Sequence, residues 1–423
     1  MSDSRLAMHD LSLADAVEEF FSDPAARTNP YPFYHRLREE APIYRSETIG
    51  AYGNALWLIS GFEECSAVLK DWKHASRDLR KVDKSNGGPP GNQNLPKVMQ
   101  FLMDAMLNID PPEHNRVRRL VSRAFTPQAI EGLKPNIEAF VNERLDVLEG
   151  QGRCELISDL AYPLPGTIVS DMMGIPEEDR LQMKEWSNLA ARQAMVNPLP
   201  DEVARGNTEI TREIAYLRGL ITERRAHPGP DLISAFLALD DSGHGLTDDE
   251  VAVNVKQTFM GGQETTMWLI TNGIIALLEN PTEMDKLRSD PTLIGAAIEE
   301  MLRYDSPASY VVRVALDDIE LGGLVIPRGE TMAILVASAN RDPRRFEHPD
   351  QFDISRRDAG QLSFGGGVHL CIGAALARAE AAIAINAIIN RLPDLHLADE
   401  AIVWDDNHRL RGPKALYLEW SNS

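Results

Sequence analysis

The sequence predicts a mostly α-helical fold with a minor β part, and three observations lead there. Thr247 and Glu250 stand three apart at the head of a long apolar pattern, the spacing of a capping box, and the pattern stops at Asn280-Pro281. Helical periodicity alternates with short breaks from Pro127 to Arg225, among them Tyr162-Pro163-Leu164-Pro165 and Gly174-Ile175-Pro176. An alanine-rich helical run covers Ala374 to Ile389. Strand-like patterns are short by comparison: Ala55 to Ile59, Ser309 to Ala315, and a turn at Val325 to Gly329 that leads into another strand.

In chain order, residues 1–30 read as an extended leader, and Pro32 to Arg45 opens the ordered part with a helical pattern at Phe33 and Leu37. A short helix follows Cys65. Arg80 to Lys97, polar and rich in Gly, Pro and Asn, reads as a solvated linker or a lid. Next, Asp110-Pro111-Pro112-Glu113-His114 introduces a helix on which His114 and Arg118, four apart, share a face. Such a face is either solvated or paired with buried anions. Gln193 to Asn207, holding Pro198-Leu199-Pro200, reads as a connector between two helices.

The helix begun at Thr247 has about 32 residues and a length of about 48 Å at 1.5 Å per residue. Its middle reads Met260-Gly261-Gly262-Gln263-Glu264-Thr265-Thr266. Two glycines inside a helix cost about 1 kcal/mol each relative to alanine, so something offsets them. Either another helix packs closely there, or the ladder opens locally into a groove. Glu264 and Thr265 place an acid and a hydroxyl where they can order water and pass protons. Ile294 to Tyr304 is helical, and Glu300 and Arg303 share a face.

One cysteine, Cys371, ends the glycine-rich stretch Ser363 to Gly373 immediately before the alanine-rich helix. Backbone N–H groups and the helix dipole at that position favour thiolate, which can ligate a metal. Gly365, Gly367 and Gly373 permit unusual backbone conformations and the close approach of a flat ligand.

The set Phe364, Gly365, Gly367, His369, Cys371 and Gly373 resembles the haem-binding loop of the cytochrome P-450 superfamily, the haem-thiolate monooxygenases. The resemblance implies a cytochrome P-450 fold in one large domain, 1–423, with haem b between a long central helix and the cysteine loop. Cys371 would be the proximal iron ligand, and His114, Arg118, Arg313 and His369 would hold the propionates. The run from Gly261 to Thr266 is similar to the family's central-helix signature. Gly261 and Gly262 would face the cofactor, Thr265 would steady activated dioxygen, and Glu264 would relay protons. Glu300, Arg303 and Arg356 would form a structural triad on the proximal side. Residues 80–105 would act as lid and 190–210 as mobile roof, with Met260 and Val311 lining the substrate pocket.

The 423 residues can bury a core large enough for a cofactor. A formal net charge of −21 argues against nucleic acid and anionic membranes as partners. Met1 to Asp23 carries acidic residues and no apolar h-region, which predicts neither signal peptide nor membrane anchor. Cys65, Cys154 and Cys371 are far apart, which suits a reducing, cytoplasmic compartment and matches neither a zinc site nor an iron–sulfur cluster. Together with the resemblance, this implies a monooxygenase acting on a mid-sized, largely apolar small molecule, free or carrier-protein-bound. Electrons would come from NAD(P)H through a separate ferredoxin and ferredoxin reductase. The alternatives are a haem-thiolate oxidase that couples phenols or uses peroxide, and a haem sensor or carrier without turnover.

Overall fold

Thr247 caps the helix about which the others are arranged. Its side chain accepts from the Glu250 N–H, the Glu250 carboxylate accepts from the Thr247 N–H, and the helix runs from Asp248 to Glu279, 32 residues. Pro281 then starts the next helix. Every residue from Thr266 to Leu277 is buried, so this half has no solvated face and passes through the interior.

The computed structural model describes residues 11–51, 54–81, 96–193, 200–239, 243, 245–357 and 360–421. Ahead of the long helix come α1 (Leu13–Ser22), α2 (Tyr31–Glu40), α3 (Phe62–Lys70), α4 (Lys97–Leu102), α5 (Glu113–Val121), α6 (Pro127–Leu148), α7 (Pro163–Met173), α8 (Arg180–Gln193), α9 (Pro200–Ala226) and α10 (Leu232–Leu237). The long helix is α11, followed by α12 (Pro281–Ser289), α13 (Ile294–Tyr304), α14 (Val336–Ala339) and α15 (Ala374–Arg391). One core joins the second half of α11 to α6, α13 and α15; another joins its first half to α5, α9 and α10.

The β part is smaller. Strands β1 (Ile43–Ala51), β2 (Asn54–Ile59), β3 (Ala75–Ser76), β4 (Arg153–Glu155), β5 (Val311–Ala315), β6 (Ile319–Leu321), β7 (Leu324–Ile326) and β8 (Thr331–Ile334) precede the cysteine loop. After it come β9 (His396–Leu397), β10 (Val403–Trp404), β11 (Pro413–Ala415) and β12 (Tyr417–Glu419). The main sheet has the order β1-β2-β8-β5-β3, with β2 and β8 parallel and its other pairs antiparallel. Because separate apolar clusters cover the two faces of this sheet, the burial of β5 does not alternate: Arg313, Val314 and Ala315 are all buried.

Several expectations need correction. Residues 13–27 are not an extended leader: Ser12 caps α1, whose Ala16, Val17 and Phe20 are buried, and Phe20 stacks on Phe33 at 4.6 Å. The helical pattern after Pro32 ends at Glu40, and Ile43 begins a strand instead. The helix near Cys65 starts before it, at Phe62. Much of the 80–105 lid lies outside the described residues, and Lys97–Leu102 of it is helical. In the 190–210 roof, Pro200 to Asn207 belong to α9 and are no connector, since proline is well placed at a helix start; 194–199 lie outside the described residues. The helical hydrogen-bond pattern of α11 also continues through Gly261 and Gly262 rather than opening.

Candidate haem-thiolate site

Cys371 is held by its own loop. Its N–H donates to the Phe364 carbonyl at 2.9 Å, closing the turn, and Gly365 and Gly367 take φ of 73° and 62° inside it. At Gly367 glycine is obligatory for a second reason, since a Cβ would lie 2.6 Å from the Leu69 carbonyl oxygen. Gly373 differs from that expectation: its φ is −83°, ordinary for any residue, and it serves as N-cap of α15. A Cβ there would stand 4.0 Å from the Cys371 sulfur, an ordinary contact, so within the protein this position has room for a side chain. The Phe364 ring carries the Arg378 guanidinium at 4.4 Å.

The thiol is accessible, but it lies in a recess of protein, and burial raises its pKa above the ordinary value. Amides of Gly373 and Ala374 and the charges of Arg118 and Arg378 pull the other way without prevailing. The helix terminus thus favours the thiolate as expected, but burial outweighs it. A metal would have to complete the deprotonation.

Three of the four residues assigned to propionates form one buried group. The His114 and His369 rings meet edge to face with centroids 4.6 Å apart. Neither His369 nitrogen, nor Nε2 of His114, has a hydrogen-bond partner among the described residues. His369 Nε2 lies 3.7 Å from Asp110 Oδ1. Arg313 is buried, and among the described residues it donates only to the Val312 carbonyl, at 2.9 Å. Burial and the nearby Arg77 lower its pKa to about 9, with Asp110 opposing. The fourth, Arg118, reaches the loop instead, donating to the carbonyls of Val368 at 3.2 Å and Leu370 at 2.7 Å.

Asp110 was quoted in the sequence but given no role. Burial alone would raise its carboxyl, yet the nearby His369 together with Ser76 and Lys81, which bind it directly, hold it well below the usual carboxylate range. It is the anion set among these residues, of which Arg313 is the cation, since burial lowers the pKa of both imidazoles. The sequence signal was its place just ahead of Pro111-Pro112 and His114.

On α11 the two glycines divide the readings between them. A Cβ on Gly262 would come within 3.1 Å of Val169 Cγ2, so α7 packs closely there. Gly261 is exposed, and the nearest atom to a Cβ would be Gln257 Nε2 at 3.9 Å, so that position is open. Thr265 Oγ1 donates to the Gly261 carbonyl at 2.7 Å, which fixes the hydroxyl over the open face with its lone pairs free to accept. Burial and then the charge of Asp405 raise the Glu264 pKa to about 7, against Arg192. Met260 packs on the cluster of Val98, Leu102, Ala190, Ile210 and Val253 from α4, α8, α9 and α11, and Val311 shares its strand face with Arg313.

Behind the cysteine, Glu300 receives Arg303 at 2.7 and 2.8 Å and Arg356 Nε at 3.1 Å. Arg303 also donates to the carbonyls of Asn340, Pro349 and Gln351. All three charged groups are thus tied to one another and to the backbone leading into the cysteine loop.

These residues fit haem. Orphaned buried imidazole nitrogens and an arginine without a carboxylate partner among the described residues suit a cofactor that brings two carboxylates. The exposed Cys371 thiol and the open Gly261 face suit a flat ring carrying iron.

The comparisons agree. The family model for cytochrome P450 matches residues 46–400. The chain is 39% identical over 422 residues to cytochrome P450 monooxygenase PikC of Streptomyces venezuelae, covering 97% of this chain and 94% of that protein. It is 39% identical over 371 residues to the biotin biosynthesis cytochrome P450 of Bacillus subtilis, covering 88% and 91%. The structure of P450BioI with a hexadec-9Z-enoic acid-ligated acyl carrier protein superposes with a TM-score of 0.85 at 38% identity, covering 93% of this chain and 99% of that one. No helix among the described residues is long and apolar enough to cross a membrane. The chain belongs to the cytochrome P450 family and is a P450-type monooxygenase, an oxidoreductase of haem iron and dioxygen.

Proposed function

We propose that this chain, working as a single haem-thiolate domain in the cytoplasm, holds haem b and inserts one oxygen atom into a C–H bond or alkene of a mid-sized, largely apolar metabolite. The orphaned imidazole nitrogens of His114 and His369, with an Arg313 that has no carboxylate partner among the described residues, carry this reading. Cys371 is the iron ligand; His114, His369 and Arg313 hold the propionates. Arg118 fixes the loop that presents the sulfur and lies close enough to act on the same anions. When bound, haem with its thiolate ligand supplies the oxidising chemistry.

The protein's own part is binding, orientation and proton supply. Gly261 leaves room on the distal face, and the Thr265 hydroxyl, anchored on the Gly261 carbonyl, orients the oxygen-side water. Glu264, with a pKa of about 7, exists in both protonation states near neutral pH and serves as the proton relay. Met260 and Val311 contribute apolar wall. The Glu300, Arg303 and Arg356 triad holds the proximal side together.

The polyketide biosynthesis cytochrome P450 PksS of Bacillus subtilis, 38% identical to this chain over 403 residues, and P450BioI, whose structure holds a hexadec-9Z-enoic acid-ligated acyl carrier protein, support a polyketide-like or acyl substrate, free or on a carrier protein. Electrons come from NAD(P)H by way of a separate ferredoxin and its reductase. Reduced protein treated with CO will give the red-shifted Soret band of thiolate ligation; a spectrum of histidine ligation would refute the site. Labelled dioxygen then separates insertion, with one labelled atom in product, from coupling, with none.

A further inference from the structure

Gln263, between Gly262 and Glu264, is 1% exposed, yet neither its Oε1 nor its Nε2 has a hydrogen-bond partner among the described residues. A buried amide with both ends unsatisfied is costly, and such groups are met by ordered water where protein does not reach them. The surroundings are polar enough to hold one. The Tyr162 hydroxyl lies near enough to Gln263 to feel its amide, although the two make no hydrogen bond, and Glu264 acts on the same phenol by charge. Gly166 keeps the space open: a Cβ there would stand 3.3 Å from Gln263 Nε2 and from Lys184 Cε.

Outward from this point Tyr162 meets Asn188. Asn188 Nδ2 donates to Tyr162 Oη at 3.1 Å; the reverse contact, 3.5 Å, is too long for a hydroxyl donor, so the phenol proton is left to point inward. The Lys184 ammonium sits 4.1 Å over the Tyr162 ring, and Tyr162, Lys184 and Asn188 are all partly exposed.

We propose that Gln263 is a positioning residue that fixes a water between Tyr162 and Glu264, so that Tyr162, oriented by Asn188, and this water form the solvent end of the proton supply to Glu264. In a transfer the water gives one proton to Glu264 and takes the phenol proton of Tyr162, which solvent replaces at the partly exposed phenol, while Asn188 exchanges no proton and only orients the phenol. The inference rests on Glu264 acting as the relay. Gln263 itself gains and loses nothing; its amide donates to and accepts from the water, fixing its orientation.

The test uses haem-loaded wild type, Gln263→Met, which keeps the volume and removes the amide, and Gln263→Glu, which keeps the acceptors. High-resolution crystal structures of wild type will place a water within hydrogen-bond reach of Gln263 and of Tyr162 or Glu264, and Gln263→Met will lack it. In turnover, Gln263→Met will divert more reducing equivalents to peroxide, by about threefold or more, and enlarge the solvent isotope effect, as impaired proton delivery requires. Gln263→Glu will restore coupling, and the substrate-induced spectral shift will titrate alike in all three. A water-free Gln263 amide bonded directly to protein overturns the inference, and so does wild-type coupling in Gln263→Met. If instead the water is present and Gln263→Met is uncoupled while Glu264→Gln turns over normally, the relay role of Glu264 fails and the water's position stands.

Discussion

Asp110 and His369 face each other across 3.7 Å, the carboxylate engaged by Ser76 and Lys81 as well, and the imidazole bonded to nothing else among the described residues. One internal carboxylate therefore sits among groups arranged for carboxylates, and it meets only part of their demand. Arg313 shows the remainder.

Because Arg313 is buried without a carboxylate partner, Arg313→Met should act in opposite directions on the two forms of the protein. In the haem-free chain it removes an uncompensated charge whose burial costs on the order of 1–3 kcal/mol, so the melting temperature rises by a few degrees. In the loaded protein it removes a charge-assisted contact worth about 1.5–3 kcal/mol, and haem transfer to an apoglobin acceptor becomes about 10- to 100-fold more favourable. A fall in both would show that Arg313 is structural only.

Gly261→Ala and Gly262→Ala separate two adjacent glycines. With open space at 261, alanine should stabilise the haem-free chain by up to about 1 kcal/mol. At 262 the 3.1 Å approach to Val169 cancels that gain, leaving denaturant midpoints near wild type. Spectral titration with substrate should be disturbed by the 261 variant alone.

Breaking the triad from one side should be severe. Arg303→Met leaves Glu300 buried beside Arg356 alone and three carbonyls short of a donor, a loss of about 3–5 kcal/mol read from urea unfolding. Replacing Glu300 and Arg303 together by leucine and methionine should lose less than the two single changes summed.

Glu264 makes stability depend on pH in a definite direction. Its folded pKa, about 7, lies above the ordinary 4.5, so the native state holds a proton that the unfolded chain has released. Its contribution is whole below about pH 4.5 and is lost as pH rises through 7. Glu264→Gln should therefore gain on wild type between pH 5 and 8 in melting temperature, while its turnover loses the limb that titrates near 7. Parallel stability profiles for the two proteins would contradict this environment.

Legibility in the sequence followed how local each determinant was. The α11 capping box, its stop at Pro281 and α13 from Ile294 to Tyr304 are written in neighbouring residues and came out as read. Helix α1 did not, because its apolar face of Ala16, Val17 and Phe20 becomes meaningful only against Phe33 and Tyr34. The cysteine loop was legible as a pattern, but the state of its thiol depends on walls supplied from elsewhere in the chain. Gln263 looked like filler within a glycine and threonine motif; its isolation is visible only once α7 and α8 are packed against it.

The parallel pairing of Leu56–Ile59 with Thr331–Ile334 has a consequence for biosynthesis. The N-terminal hairpin reaches the rest of its sheet only through β8, so it must wait, one edge unpaired, while the ribosome makes the intervening chain. At about 5–20 residues per second that wait is on the order of tens of seconds. Arg313 sits on β5, which pairs with β8 on one side and β3 on the other. Haem capture is therefore a late event in the life of the nascent chain.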